Sequence, residues 1–366
     1  MKRIQKRGQA DSQFHWLFVL LAGGFILFLF FMLATAGIRG FILKQTAETL
    51  KSIESTIGVV RSQGNIDAWI DASDAVSLAV SCDILRTGSG FTDVSSLLSV
   101  QGKETNKPIR DVPLFSEKII SGEHYAVKSI PSYYPFRADT ALYMSSFSTL
   151  YVIVGADAAT GKKIIDLLPK NASSVQVGSI PELTNKGFDM YVFIGVNQGQ
   201  QLSSQVPSFA KKYRYVDIQP GADGLITSGD FVFYSLTKIS GTTYELLSDP
   251  DNDGVDDISS YRGEAEFAGG LVSPYDIYTC TKFKMYRRVR ATAGIMAIEA
   301  DVLKNSYPTT LANSGQCIGV YGLLSDKLLQ LHAGPAVATD EPDVAVVNEV
   351  DRLNGQLELS SCQVLY

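Results

Sequence analysis

LYVIVGADAATGKKIIDLLPKNASSVQV, residues 150–177, is the stretch that decides the fold class. It opens on an uninterrupted apolar run, 150–154, of the kind a strand shows when both of its faces are buried. Residues 155–161 then read as a turn, 162–168 as a helix and 174–177 as a return strand. The unit recurs downstream, with 189–196 as strand, 203–212 as helix and 213–218 as strand. Parallel neighbours need a crossover long enough to hold a helix, so two successive units of this form predict an α/β domain. The expected architecture is a mixed, largely parallel sheet covered by helices.

Outward from that core, residues 75–82 (AVSLAVSC) read as a strand and 88–101 as a Ser/Gly-rich loop. Residues 117–130 and 140–146 supply further strands, and 231–236 with 243–247 a hairpin. The C-terminal part reads as helices over 274–305, 322–332 and 342–353. In the last of these Val346, Val350 and Leu353 form one apolar stripe, and Asn354-Gly355 is a stop signal. Residues 64–366 therefore form the expected α/β domain, with a subdivision into 64–260 and a helix-rich 261–366.

Ahead of the domain lies WLFVLLAGGFILFLFFMLATAGI, residues 16–38. As a helix it would run about 34 Å, enough to cross a bilayer core of about 30 Å. Residues 1–14 then form a basic cytoplasmic stub (Lys2, Arg3, Lys6, Arg7), 15–38 a transmembrane helix and 39–63 an amphipathic stalk. Basic residues gather before the span, whereas Arg39, Lys44 and Lys51 alternate with Glu48 and Glu54 after it. This asymmetry places the N-terminus in the cytoplasm and the large domain outside a single-pass cell membrane. The lipid bilayer is the first partner implied. A cleaved secretory peptide is the competing reading, because Ala34-Thr35-Ala36 has the small-x-small form of a cleavage site.

The net charge of −6 on 366 residues argues against a nucleic-acid partner. The one basic run beyond the N-terminus, FKMYRRVR at 283–290, shares a helix with Phe283, Met285, Tyr286 and Val289 and reads as a solvated face. Cys82, Cys280, Cys317 and Cys362 all fall on the outer side, and an even count there favours two disulfides. Four cysteines allow three pairings. Cys280–Cys317, joining neighbouring helical elements, and Cys82–Cys362, tying the ends of the domain, are the expected ones.

The sharpest chemical motif is DPDNDGVDD at 249–257. Asp249, Asp251 and Asp253 alternate, Gly254 allows a tight turn and Asp257 follows at the ninth position, a spacing that can wrap oxygens around Ca²⁺. The twelfth position is Ser260, not the glutamate of an EF-hand, and the loop resembles thrombospondin-type and dockerin-type calcium repeats. GADAATGKK at 155–163 sits where a phosphate loop would, but five residues separate its glycines and Lys163 replaces Ser/Thr, so it reads as a plain βα turn. His15, His124 and His332 are scattered and read as structural or surface residues. Asn171-Ala172-Ser173 is a glycosylation sequon on a predicted loop.

Lys6-Arg7-Gly8-Gln9-Ala10, directly ahead of the span, resembles an archaeal class III (type IV pilin-like) signal. That resemblance implies cleavage between Gly8 and Gln9 and retention of the apolar helix as a filament core. The acidic residue usual five places after the cut is here Gln13. The whole chain loosely resembles uncharacterised single-span proteins of DPANN-type archaea. The likeness rests on KRGQADSQFHWLFVL, Ser81-Cys82, Pro135-Phe136-Arg137 with Leu142-Tyr143, Gly269-Gly270 to Cys280, and the 361–366 end. It implies a retained anchor, an outward domain and structural cysteines, and no known activity. The expected role is a non-catalytic cell-envelope component that meets other envelope or pilus proteins. The alternatives are a pilin-like filament subunit and an extracytoplasmic hydrolase.

Overall fold

A computed structural model describes residues 7–87, 90–100, 106–109, 112–133, 136–198, 212–240, 243–247, 256–311, 313–334 and 342–366. The chain forms two units, Met1–Lys51 and Ser52–Tyr366. Helix α1 (Arg7–Gln63) has 57 residues. Within the first unit, 18 consecutive residues, Val19–Ala36, have a mean hydropathy of 2.5 and none is buried. This helix is long and apolar enough to cross a membrane, and it is apolar on all sides, as a span is and a surface helix is not. In the second unit the end of α1 buries Ile53, Ile57 and Val60, a spacing of one helix face.

The second unit holds two sheets. Sheet A comprises β1 (Asp67–Thr87), β2 (Gly90–Val100), β3 (Asn106–Ile109), β4 (Leu114–Ser116), β5 (Ile119–Ser132) and β6 (Asp139–Ser146), in the order β3-β2-β1-β5-β6-β4. All its pairs are antiparallel except β4 with β6. Sheet B comprises β7 (Thr149–Val154), β8 (Ser173–Val177), β9 (Met190–Val196), β10 (Lys212–Pro220), β11 (Ser228–Ser240), β12 (Thr243–Leu247) and β13 (Ile258–Arg262). Its order is β12-β11-β10-β9-β7-β8, with β13 also on β11. The strands β8, β7, β9 and β10 are parallel, and β11, β12 and β13 join antiparallel. The domain is thus mixed α/β, with parallel pairing limited to four strands of sheet B and the β4–β6 pair of sheet A rather than dominating.

The central strands β7, β9 and β10 of sheet B are buried on both faces, which explains the unbroken apolar run at 150–154. Tyr151, Ile153, Val192, Ile194, Val216 and Phe231 enter one core, while Leu150, Val152, Tyr191, Phe193, Tyr215 and Val232 enter another. Helix α2 (Ala158–Leu167) covers the first face through Ile164 and Leu167, and a short 3₁₀ turn at Ile180–Glu182 covers the second through Ile180.

Helix α3 (Gly263–Val272) fills the space between the sheets, and every residue from Ala265 to Val272 is buried. Two glycines permit this. A Cβ on Gly269 would lie 2.6 Å from the Phe115 ring of sheet A, and one on Gly270 would overlap the Phe231 ring of sheet B. Arg214 of β10 donates to Gly270 O and Leu271 O at the end of α3 and to Glu117 Oε1, just past β4, at 2.8 Å. Both charges are almost fully buried. Removing one partner of such a pair strands the other, a loss of about 3–5 kcal/mol.

Helices α4 (Tyr275–Ser306), α5 (Ser314–Ala333) and α6 (Val344–Leu359) make a further core from Val289, Ala293, Leu324, Leu328, Val346, Val350 and Leu353, so the predicted stripe is buried. Helix α6 runs through Asn354-Gly355 instead of stopping there. The reason is local: Asn354 donates to Tyr366 O and accepts from Leu365 N–H, so its amide ties down the C-terminal segment rather than ending the helix.

Two other expectations are corrected. The 88–101 segment contains strand β2, because antiparallel pairing with β1 over ten positions outweighs its Ser/Gly content. The disulfides are Cys82–Cys280 and Cys317–Cys362, not Cys280–Cys317 and Cys82–Cys362. Cys280 lies near the start of α4 and Cys317 in α5, beyond its far end. The intervening helix holds them about 38 Å apart along the axis. Cys280 instead meets β1, which packs on α4, and Cys317 meets the segment after α6.

Candidate functional site

In sheet B the chain leaves β7, crosses one face through α2 and lands on β8. It then returns across the opposite face through the 3₁₀ turn and lands on β9, on the other side of β7. Strand order therefore reverses between β7 and β9. In open α/β sheets ligands bind beyond the carboxyl ends of strands at such a reversal, because connections leave in opposite directions and open a crevice.

The residues at this reversal are polar and closely fitted. Gly155 ends β7 in the left-handed region (φ 68°), and a Cβ there would lie 2.5 Å from Gln198 Nε2. Asn197, past β9, is also left-handed (φ 53°), which turns the following amide inward. Gln198 N–H donates to Asp217 Oδ1 at 2.9 Å, and Asp217 on β10 is only 1% exposed. Gly195 of β9 lies beneath two polar groups: a Cβ would be 2.8 Å from Asp217 Oδ1 and 2.9 Å from Tyr215 Oη. The buried Tyr215 hydroxyl has no hydrogen-bond partner among the described residues. Burial first and Asp217 second push its pKa well above the ordinary phenol range, so it stays a protonated donor. Gln176 Nε2 on β8 donates to Ala156 O at 2.6 Å. This group can donate and accept hydrogen bonds. It is not a phosphate cradle: Asp157 caps α2, accepting from Ala159 N–H and Thr160 N–H, so a carboxylate already occupies the helix end. The turn is shorter than the expected 155–161: it ends at the Asp157 cap, and α2 begins at Ala158 rather than at 162.

A second concavity, about 460 Å³, is lined by Arg61, Ser62, Arg137, Asp139 and Thr140. Asp139 is buried and shared: Arg61 Nη2 reaches Oδ1 at 3.0 Å and Arg288 Nε lies 2.7 Å from Oδ2. The Arg288 contact is an ion pair outside hydrogen-bond geometry. Arg288 belongs to the run read as a solvated face, and Lys284 of that run is 5% exposed, so the reading is corrected. Successive turns of α4 carry these cations inward, where Arg288 finds Asp139. Arg287 remains exposed.

Of the predicted calcium ligands, Asp249, Asp251 and Asp253 lie outside the described residues. Asp257 is half-buried, and its carbonyl accepts from Phe233 N–H at 2.9 Å. Gly8 and Gln9 lie in the first turns of α1. His124 Nδ1 is 2.7 Å from Asp71 Oδ1, at the surface of sheet A. Ser146 and Ser148, on the neighbouring turn, hydrogen-bond to each other. Among the described residues no serine completes a triad with His124. His332 Nδ1 lies 2.9 Å from Arg290 O, a structural contact.

Sequence reasoning passed over Asp139, Tyr215 and Asp217. A signal existed for the last: an acid inside the apolar strand YVDI must be paired when buried. Comparison with known protein families, with curated proteins and with solved structures finds no match.

Proposed function

We propose that this chain is a single-pass membrane protein whose disulfide-bonded α/β domain lies outside the cell and serves as a non-catalytic envelope component. The observation that carries this is the pairing of an exposed 18-residue apolar segment with a domain whose four cysteines all form disulfides. Disulfides persist in oxidising compartments, and an apolar helix with no buried face needs lipid. The hydrogen-bonding groups at the β7/β9 reversal suit recognition of a partner or ligand by such a domain. The neighbours in view are other envelope proteins.

A second reading is a pilin-like subunit of a surface filament. Continuity of α1 from Arg7 through the apolar segment supports it, since a filament core needs an unbroken helix behind the Gly8–Gln9 cut. One preparation tests both. Membranes washed with alkaline carbonate should retain the chain, and release into the wash contradicts the anchor. Intact mass of the retained protein then separates the readings: a start at Met1 or Lys2 fits the anchored component, and a start at Gln9 fits the pilin.

A further inference from the structure

After α2 the chain makes a tight turn in which Ala172 N–H donates to Pro169 O at 2.8 Å, leaving Lys170 and Asn171 at the two central positions. The turn is pinned because Lys170 N–H donates to Asp67 Oδ1 at 2.9 Å. Asn171 is exposed, and its carboxamide makes no hydrogen bond with any described residue. Ala172 and Ser173 complete the Asn-x-Ser acceptor triplet, which occurs once in the chain.

Among the described residues, the strand that begins at this triplet is paired on one side only. Ser173 opens β8, the outermost strand of sheet B, which pairs with β7 alone among the described strands. Its sequence, SSVQV, contains no charge and no proline, and all five residues are half-buried. Free strand edges template pairing with other chains, and proteins guard them with lysine, proline, bulges or a cover. β8 has none of the first two, and its register with β7 is unbroken.

We propose that Asn171 is an N-glycosylation site whose glycan covers the edge of β8 away from β7. The inference rests on the extracytoplasmic placement of the domain. Asn171 Nδ2 forms a bond to the anomeric carbon of an oligosaccharide carried on a polyprenyl phosphate or diphosphate. The C1–O bond to phosphate breaks, the phosphate-bearing lipid leaves with the electron pair, and one amide proton passes to the transferase's base. No oxidant or reductant is needed. The fixed turn presents the nitrogen, and Ser173 supplies the hydroxyl that the triplet requires.

Mass spectrometry of the chain purified from its own membranes tests this. The peptide holding 171–173 should carry a glycan in wild type and in Ser173→Thr, and none in Asn171→Gln or Ser173→Ala. A fully unmodified wild-type peptide, in a sample where Cys317 and Cys362 are disulfide-linked, overturns the site and leaves the placement of the domain intact. An unmodified peptide with both of those thiols free overturns both.

Discussion

At Asp157 one carboxylate accepts from Ala159 N–H and Thr160 N–H, each at 2.9 Å, and from the Thr160 hydroxyl at 2.7 Å. The Thr160 bonds, foremost its backbone N–H, hold the carboxyl below the ordinary aspartate range. An acid whose pKa is depressed on folding adds stability above its unfolded pKa, and that stability is lost as pH falls through the folded value. Asp157→Ala should therefore lower the urea midpoint at pH 7, with the deficit shrinking below about pH 4. Asp157→Asn, which keeps a capping oxygen, should stay near wild type throughout. Urea titrations at pH 7 and pH 3 check this, and a deficit for the alanine variant that is equal at both pH values refutes it. Gly155 marked the start of the turn, but Gly161 lies within α2, and neither the early helix start nor the capping role of this aspartate was legible. Asp217 left a trace in the sequence as an acid within the apolar YVDI run, but Tyr215 was illegible: its role is set by a neighbour, Gly195, that lies on another strand.

Among the elements, β7, α2, β8, β9 and β10 were legible because periodicity, length and turn residues agree along the chain. Of the predicted 203–212 helix, 203–211 fall outside the described residues, and Lys212 already belongs to β10. α3 was not legible: FAGGLV is apolar on every side, so it has no helical period, and its glycines argue against a helix until the facing Phe115 and Phe231 rings are known. Pairing of the cysteines depends on where α4 points, which no local signal gives. Cys317–Cys362 closes a loop of 45 residues between α5 and the segment after α6. Chain entropy assigns such a closure about 4 kcal/mol. The double variant Cys317→Ser/Cys362→Ser should lower unfolding stability by roughly that amount, with Cys82–Cys280 still formed. Denaturant unfolding with peptide mapping checks it. A stable double variant, or a Cys280–Cys317 peptide in wild type, would contradict the observed pairing.

For the whole molecule, the sequence separates an apolar segment from a domain in a chain with 45% hydrophobic residues and enough length for several cores. The structure divides that domain among a core shared by both sheets and α3, a second face of sheet B, and a three-helix core. The candidate site arises from topology: it exists because α2 and the 3₁₀ turn cross sheet B on opposite faces. Only the assembled strand order displays that reversal. Every functional reading of this chain depends on the domain lying outside the membrane, and lysine labelling in intact cells probes that placement. A membrane-impermeant amine reagent should modify the exposed Lys162, Lys163 and Lys186 in intact cells, and reach Lys2 and Lys6 only after permeabilisation. Labelling of Lys2 and Lys6 with protection of Lys162, Lys163 and Lys186 would instead put the domain in the cytoplasm and refute the placement.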